Sequence, residues 1–141
     1  MNATNATSGN DEFEAAVSHV WQEHLQAPFP AGQRGAERAG IDLVLLDADI
    51  AGCVSTWLSD GGSLDDRRSS VLRRRITDLE QILPVLAATD NAPYWQRLYR
   101  LGCLVSESVD ASVRIRARTE QPGPRSLTCG LAARRRRCRN R

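Results

Sequence analysis

Two carboxylates, Asp47 and Asp49, directly follow the apolar run Ile41-Asp-Leu-Val-Leu-Leu46 and are the first candidates for nucleophilic or proton-transfer work. On a strand, residues two apart share a face and could hold one phosphate or cation; on a helix they lie about 200° apart and cannot. His19 and His24 are five residues apart, which keeps them from facing one metal across a helical turn, so they read as separate surface histidines. Cys53 and Cys103 fall in helical stretches as small buried hydrophobes, while Cys129 and Cys138 lack the C-x-x-C spacing of a zinc site. None of these groupings calls for a metal or an organic cofactor.

Arginine supplies the remaining chemistry. All 19 basic side chains are Arg, and the net charge of +2 conceals an asymmetry: residues 1–110 carry −7 and residues 111–141 carry +9. Arg67, Arg68, Arg73, Arg74 and Arg75 are surrounded by Asp65, Asp66, Asp78 and Glu80, and Arg74 is expected to pair with Asp78 one turn on. That pattern reads as a solvated helix face. The Arg134-Arg-Arg-Arg137 run is different, because unpaired arginines bind nucleic-acid phosphates without sequence preference. No aromatic is interleaved with it for base stacking.

The elements that must position these groups are helical. Phe13, Ala16, Val17, Val20, Trp21 and Leu25 recur at three-and-four spacing, and Asp11 with Glu14 resembles a capping box, so a first helix is predicted from 11 to 27. Pro28 and Pro30 end it and open a long loop to Gly40. A second helix is expected over 41–59, ending at Asp60-Gly61-Gly62, with Leu43, Leu46, Ile50, Cys53, Val54 and Trp57 on one face. Asp47 lies at the edge of that face, where a carboxylate must find an Arg, a Tyr hydroxyl or a Trp indole. Ala48, Gly52, Ser55 and Ser59 fall within about a 60° arc and form a ridge of small side chains, suited to close approach of a neighbouring helix in the same chain or in a partner.

Ser63 is a cap for a third helix, whose face continues through Leu72, Ile76, Leu79, Ile82, Leu83 and Leu86 until Pro84 kinks or ends it. Asn91 and Pro93 start a fourth, with Tyr94, Leu98, Leu101, Val105 and Val109 at the same spacing. Trp21 and Trp57 fall on core faces of their helices. After Ala111 the helical periodicity fails: Val113-Arg-Ile-Arg-Ala-Arg118 alternates, and Gln121-Pro-Gly-Pro124 follows. The expected architecture is all-α: a small four-helix array over 11–110, a disordered leader over 1–10 and a disordered basic tail over 111–141. The polar start lacks the pattern of a signal peptide and no apolar run reaches membrane-span length, so a cytoplasmic location without membrane attachment is expected. There the cysteines stay reduced and the two Asn-Ala-Thr triplets stay unmodified.

Leu43-Val-Leu-Leu-Asp47-Ala-Asp49 resembles the strand-then-Asp-x-Asp opening of haloacid-dehalogenase-type phosphatases. The resemblance implies a nucleophilic Asp47, and it departs at Ile50-Ala51, where that family has Gly-Thr. A longer stretch, Gly40-Ile-Asp-Leu-Val-Leu-Leu-Asp-Ala-Asp-Ile-Ala-Gly-Cys-Val-Ser-Thr-Trp-Leu58 with Leu79-x-x-Ile-Leu-Pro84 and Tyr94-Trp-x-x-Leu98, is similar to short helical proteins of GC-rich actinobacteria, over roughly residues 20 to 105. That family carries no assigned activity, so the likeness implies domain limits alone. Three functional readings follow: a non-catalytic helical module that binds another protein or itself, an accessory nucleic-acid binder acting through the tail, and a phosphatase-like enzyme using Asp47. A strand over 41–46 is the feature that would favour the last.

Overall fold

The computed structural model describes residues 4–119, with side chains from residue 10 onward. Four helices account for most of it: α1 Thr4–Gln26, α2 Leu43–Ser59, α3 Asp66–Ala87 and α4 Ala92–Thr119. Between α1 and α2 lie a single 3-10 turn, Ala31–Gln33, and a two-stranded hairpin of β1 Glu37–Arg38 and β2 Ile41–Asp42. The strands are antiparallel, with Glu37 opposite Asp42 and Arg38 opposite Ile41. Ala39 and Gly40 turn the hairpin with both φ angles positive, 52° and 77°, the condition for a tight two-residue turn that matches strand twist. The segment expected to be loop is therefore ordered by local hydrogen bonds. Described residues up to Ala111 form one compact unit, and those from Ser112 on belong to a second.

α2 supplies the centre of the core, since Leu43, Leu46, Ile50, Val54 and Trp57 are wholly buried. Its ends are set by side chains and glycine. Asp42 caps the start by accepting from Leu45 N at 3.0 Å, and at the other end Gly62 N donates to Trp57 O at 2.8 Å across Gly61, whose φ is 68°. Leu72, Leu79, Ile82 and Leu86 of α3, Trp95, Leu98, Leu101 and Val105 of α4, and Val17 and Val20 of α1 close around it.

Several expected boundaries move. α1 begins seven residues before Asp11, so Asp11 is interior to the helix and caps nothing. Asn10 of this added stretch lies against the end of α2, where a Cβ built on Gly62 would come within 3.1 Å of its Nδ2. The cap of α3 is Asp65, accepting from Arg68 N at 2.8 Å, while Ser63 donates to Asp60 O at 3.2 Å. Pro84 lies inside α3. It cannot donate to the carbonyl one turn back, but burial of Ile82 and Leu86 on either side holds the helix through it. The Leu86 carbonyl is then bonded by both Thr89 N and Thr89 Oγ1. At the other end, α4 runs to Thr119, so the alternating stretch Val113 to Arg118 is helical. An established helix propagates at little cost per residue, and Arg116 and Arg118 in the last turn favour the helix dipole, so exposure alone does not stop it.

Close helix approach occurs at a different glycine from the one the small-residue ridge suggests. A Cβ on Gly102 of α4 would meet Ile76 Cγ1 at 3.1 Å and Ile50 Cγ2 at 3.6 Å, where α4 crosses α3 and α2. A Cβ on Gly52 would meet nothing within 4 Å, and Ala48, Gly52, Ser55 and Ser59 are all exposed. The ridge is thus not an internal contact among the described residues. The expected consequence is a contrast between two like substitutions. Gly102→Leu overpacks the core and lowers stability by roughly 1–3 kcal/mol, whereas Gly52→Leu leaves it unchanged or raises it by up to about 1 kcal/mol through helix propensity. Urea midpoints of the two variants, with unchanged slopes, check this.

Candidate functional site

Two places in the described residues gather polar chemistry: a knot centred on Asp47 and an open groove between α2 and α3. Asp47 lies one residue after the buried Leu46, so its carboxylate points along the boundary between core and solvent with one fifth of the side chain exposed. Tyr94 of α4 donates its hydroxyl to Asp47 Oδ1 at 2.8 Å, and His24 Nε2 of α1 stands 3.4 Å from the same oxygen. Burial, followed by the hydrogen bond to Asp47 and its negative charge, pushes the Tyr94 hydroxyl well above its ordinary pKa.

His24 is buried, which corrects the surface reading of that residue; His19 is exposed. Its ring centroid is 4.8 Å from that of Tyr94 and 6.0 Å from that of Trp21. Phe29 and Trp95 pack edge-on to Tyr94 at 5.7 and 5.3 Å, so four of the seven aromatic residues gather here. Trp95 Nε1 in turn donates to buried Gln33 Oε1 at 2.7 Å, which ties the 3-10 turn to α4. Sequence reasoning placed His24 at the surface and missed Gln33. The signal for His24 was present: Phe13, Val17, Val20 and His24 are spaced four, three and four, which puts the histidine on the centre line of the apolar face and Leu25, 59% exposed, at its edge. Nothing in the sequence marks Gln33.

Asp49 faces away from Asp47. It accepts from Arg75 Nε at 2.7 Å, and Arg75 also reaches Asp78 at 3.2 Å, so Arg75 and not Arg74 is the partner of Asp78. This overturns the phosphatase-like arrangement. The strand ends at Asp42, and Asp47 and Asp49 sit on a helix, bound to different neighbours on different sides.

The groove has a volume of about 850 Å³ and is bounded by Ala48, Gly52 and Thr56 of α2 and by Asp65, Arg68 and Val71 at the start of α3. Cys53 forms its floor, donating to Arg68 O at 3.6 Å. Burial, reinforced by the Asp49 carboxylate, raises the thiol pKa, so Cys53 is kept in the poorly nucleophilic protonated form. Asp65 is held ionised below the usual carboxylate range, chiefly by the backbone N–H of Arg68. Of the ridge, Ala48 and Gly52 line the groove, while Ser55 and Ser59 continue the same exposed stripe beyond it. No set of three or more His, Cys, Asp or Glu side chains among the described residues is placed to hold a metal ion. Likewise no described helix is long and apolar enough to cross a membrane. Arg134, Arg135, Arg136 and Arg137 lie outside the described residues, as do Cys129 and Cys138.

Removing the carboxylate of Asp47 leaves the buried Tyr94 hydroxyl without its acceptor and takes the polar neighbour from beside buried His24, whereas removing that of Asp49 leaves Arg75 its second partner, Asp78. Asp47→Ala is therefore expected to lower stability by roughly 1–3 kcal/mol more than Asp49→Ala, read as a difference in denaturation midpoint. The raised Tyr94 pKa also gives a pH dependence. Above about pH 10 the unfolded chain loses the tyrosine proton before the folded one does, so stability is full below that value and falls as pH rises. Tyr94→Phe should be less stable at neutral pH and lose stability less steeply in alkali. The slope that remains comes from Tyr99, whose hydroxyl is held up by its hydrogen bond to Glu80, and from the thiols of Cys53 and Cys103, which burial pushes up.

No protein-family model matches this chain, and neither a curated protein nor a solved structure is similar to it.

Proposed function

We propose that the protein is a non-catalytic helical interaction module, in which the α2 stripe and the groove beside it receive a helix of a partner protein or of a second copy. The observation that carries this reading is the open backbone at Gly52, where even an added Cβ would touch nothing. Leu45, Ala48, Gly52, Ser55 and Ser59 follow one another at three-and-four spacing and are all exposed, Leu45 by 51%. A stripe of that kind is a seam for a second helix: small side chains admit close approach, and a large apolar one at the end supplies a knob. Val71, 37% exposed, adds apolar surface on the opposite wall of the groove.

Asp66 and Arg67 at the rim have no ion-pair partner among the described residues, so both signs of charge are free to fix the orientation of an incoming helix. The groove's remaining charges are already engaged, Asp49 with Arg75 and Asp65 with Arg68. They contribute walls rather than chemistry.

The test uses the full chain with a photocrosslinking residue in place of Ser55, together with sedimentation. Crosslinking to a helical partner or to a second copy is expected, and it should disappear when Gly52 is also changed to Leu, with the melting temperature not lowered. If Gly52→Leu leaves both crosslinking and sedimentation as they were, the stripe is a water-facing surface and the reading fails.

A further inference from the structure

The last turns of α4 gather three arginines on a short, wholly exposed stretch of helix. Every side chain from Ala111 to Thr119 is exposed, and Arg114, Arg116 and Arg118 have no acidic partner among the described residues. Arg68, Arg73 and Arg75 are by contrast each paired with an aspartate, and Arg67, though unpaired, stands beside Asp66 at the groove rim. Helix geometry places Arg114 and Arg118 about 40° apart on one flank and Arg116 about 180° away on the other. Val113 and Ala117 lie within about 40° of each other, midway between the two basic flanks.

We infer that this segment of α4 is a docking helix for the major groove of duplex DNA, contacting the phosphates of both strands. Three features of the geometry favour that partner. The major groove is about 12 Å wide and accepts an α-helix, so phosphates stand on both sides of the helix at once, as the two opposed arginine flanks require. The face turned to the groove floor carries Val113 and Ala117, small apolar groups that pack against thymine methyls and demand no hydrogen bond. A flat anionic surface would engage one flank only. A membrane would further require one continuous apolar face, and Val113 and Ile115, 52% and 68% exposed, point in nearly opposite directions. Duplex RNA is disfavoured because its major groove is too narrow for a helix.

Guanidinium groups suit this role because their planar fork binds phosphate oxygens in pairs and stays charged at any physiological pH. No residue of the α2–α3 groove takes part, so the inference is independent of the interaction seam and can fail without it.

The experiment measures binding of the full chain to a mixed-sequence DNA duplex by fluorescence anisotropy over a range of salt concentrations. Arg114→Gln/Arg116→Gln/Arg118→Gln is expected to weaken binding by roughly tenfold or more near 100 mM salt and to flatten the dependence of log K on log salt by about three, one for each arginine. Its melting temperature should match that of the unaltered protein, because these side chains bury nothing. Arg116→Gln alone and Arg114→Gln/Arg118→Gln should each lose part of the affinity. Loss confined to one flank would overturn the groove geometry, as would undiminished binding by the triple variant, absence of duplex binding by the unaltered chain, or equal retention on vesicles of anionic lipid.

Discussion

A carboxylate on the flank of an apolar helix is the constraint around which this molecule is assembled. Placing Asp47 beside buried Leu46 and Ile50 removes much of its hydration, a cost of several kcal/mol unless hydrogen bonds replace the lost water. Tyr94 supplies one from α4 and His24 stands ready from α1, so three helices must converge at one oxygen atom. The position of Tyr94 then fixes its neighbour Trp95, whose indole reaches Gln33 and closes the connection between α1 and α2. Arg97, one turn further along α4, extends the join at the surface with its contact to Glu23 of α1 at 4.0 Å. A polar group that looks expensive in isolation thus sets the register of α1 and α4 against α2.

The α3 side is held by different means. Arg75, about four-fifths buried, bridges Asp49 of α2 and Asp78 of its own helix, which fixes α3 against the middle of α2. The exposed pair Arg73–Asp110 links α3 to α4 and contributes little by itself, since water and salt screen it. Shape does more: Gly102 brings α4 close enough for Ile76 and Ile50 to fill the space where its side chain would be. A directional polar contact at one end and dense packing in the middle together select one arrangement of the four helices.

The helices and their inner faces were legible because burial at 3.6-residue periodicity leaves a strong mark. Leu43, Leu46, Ile50, Cys53, Val54 and Trp57 of α2 stand out as a single face in the sequence and are buried together in the fold. Helix ends were less legible, because propagation depends on backbone hydrogen bonding that side-chain hydrophobicity does not report; α1 and α4 both outrun their apolar patterns. His24 reads as a surface residue in the sequence because its polarity masks a central position on the α1 face. The polar edge of α2 marked Asp47 but could not specify which hydroxyl would meet it, since Tyr94 is 47 residues away in the chain. Small residues are ambiguous in a further way: Gly52 and Gly102 look alike in sequence, yet only the packing around each determines which one a neighbouring helix approaches.

The groove between α2 and α3 follows from the same reasoning about what each helix turn can offer. Asp65 caps α3, and the turn after it is Asp66-Arg67-Arg68-Ser69-Ser70, with no apolar side chain to draw it onto α2. The first apolar residue of α3 to be fully withdrawn from water is Leu72. Opposite that turn, α2 presents Ala48 and Gly52, which have almost no surface to bury. With little apolar surface on either side, contact at this turn is limited to the Cys53 thiol on the Arg68 carbonyl, and the apolar packing of α3 on the core begins at Leu72 and Ile76. The cleft is the physical consequence of two facing stretches that both lack apolar bulk, and a helix bringing its own large side chains would supply the surface that α3 withholds.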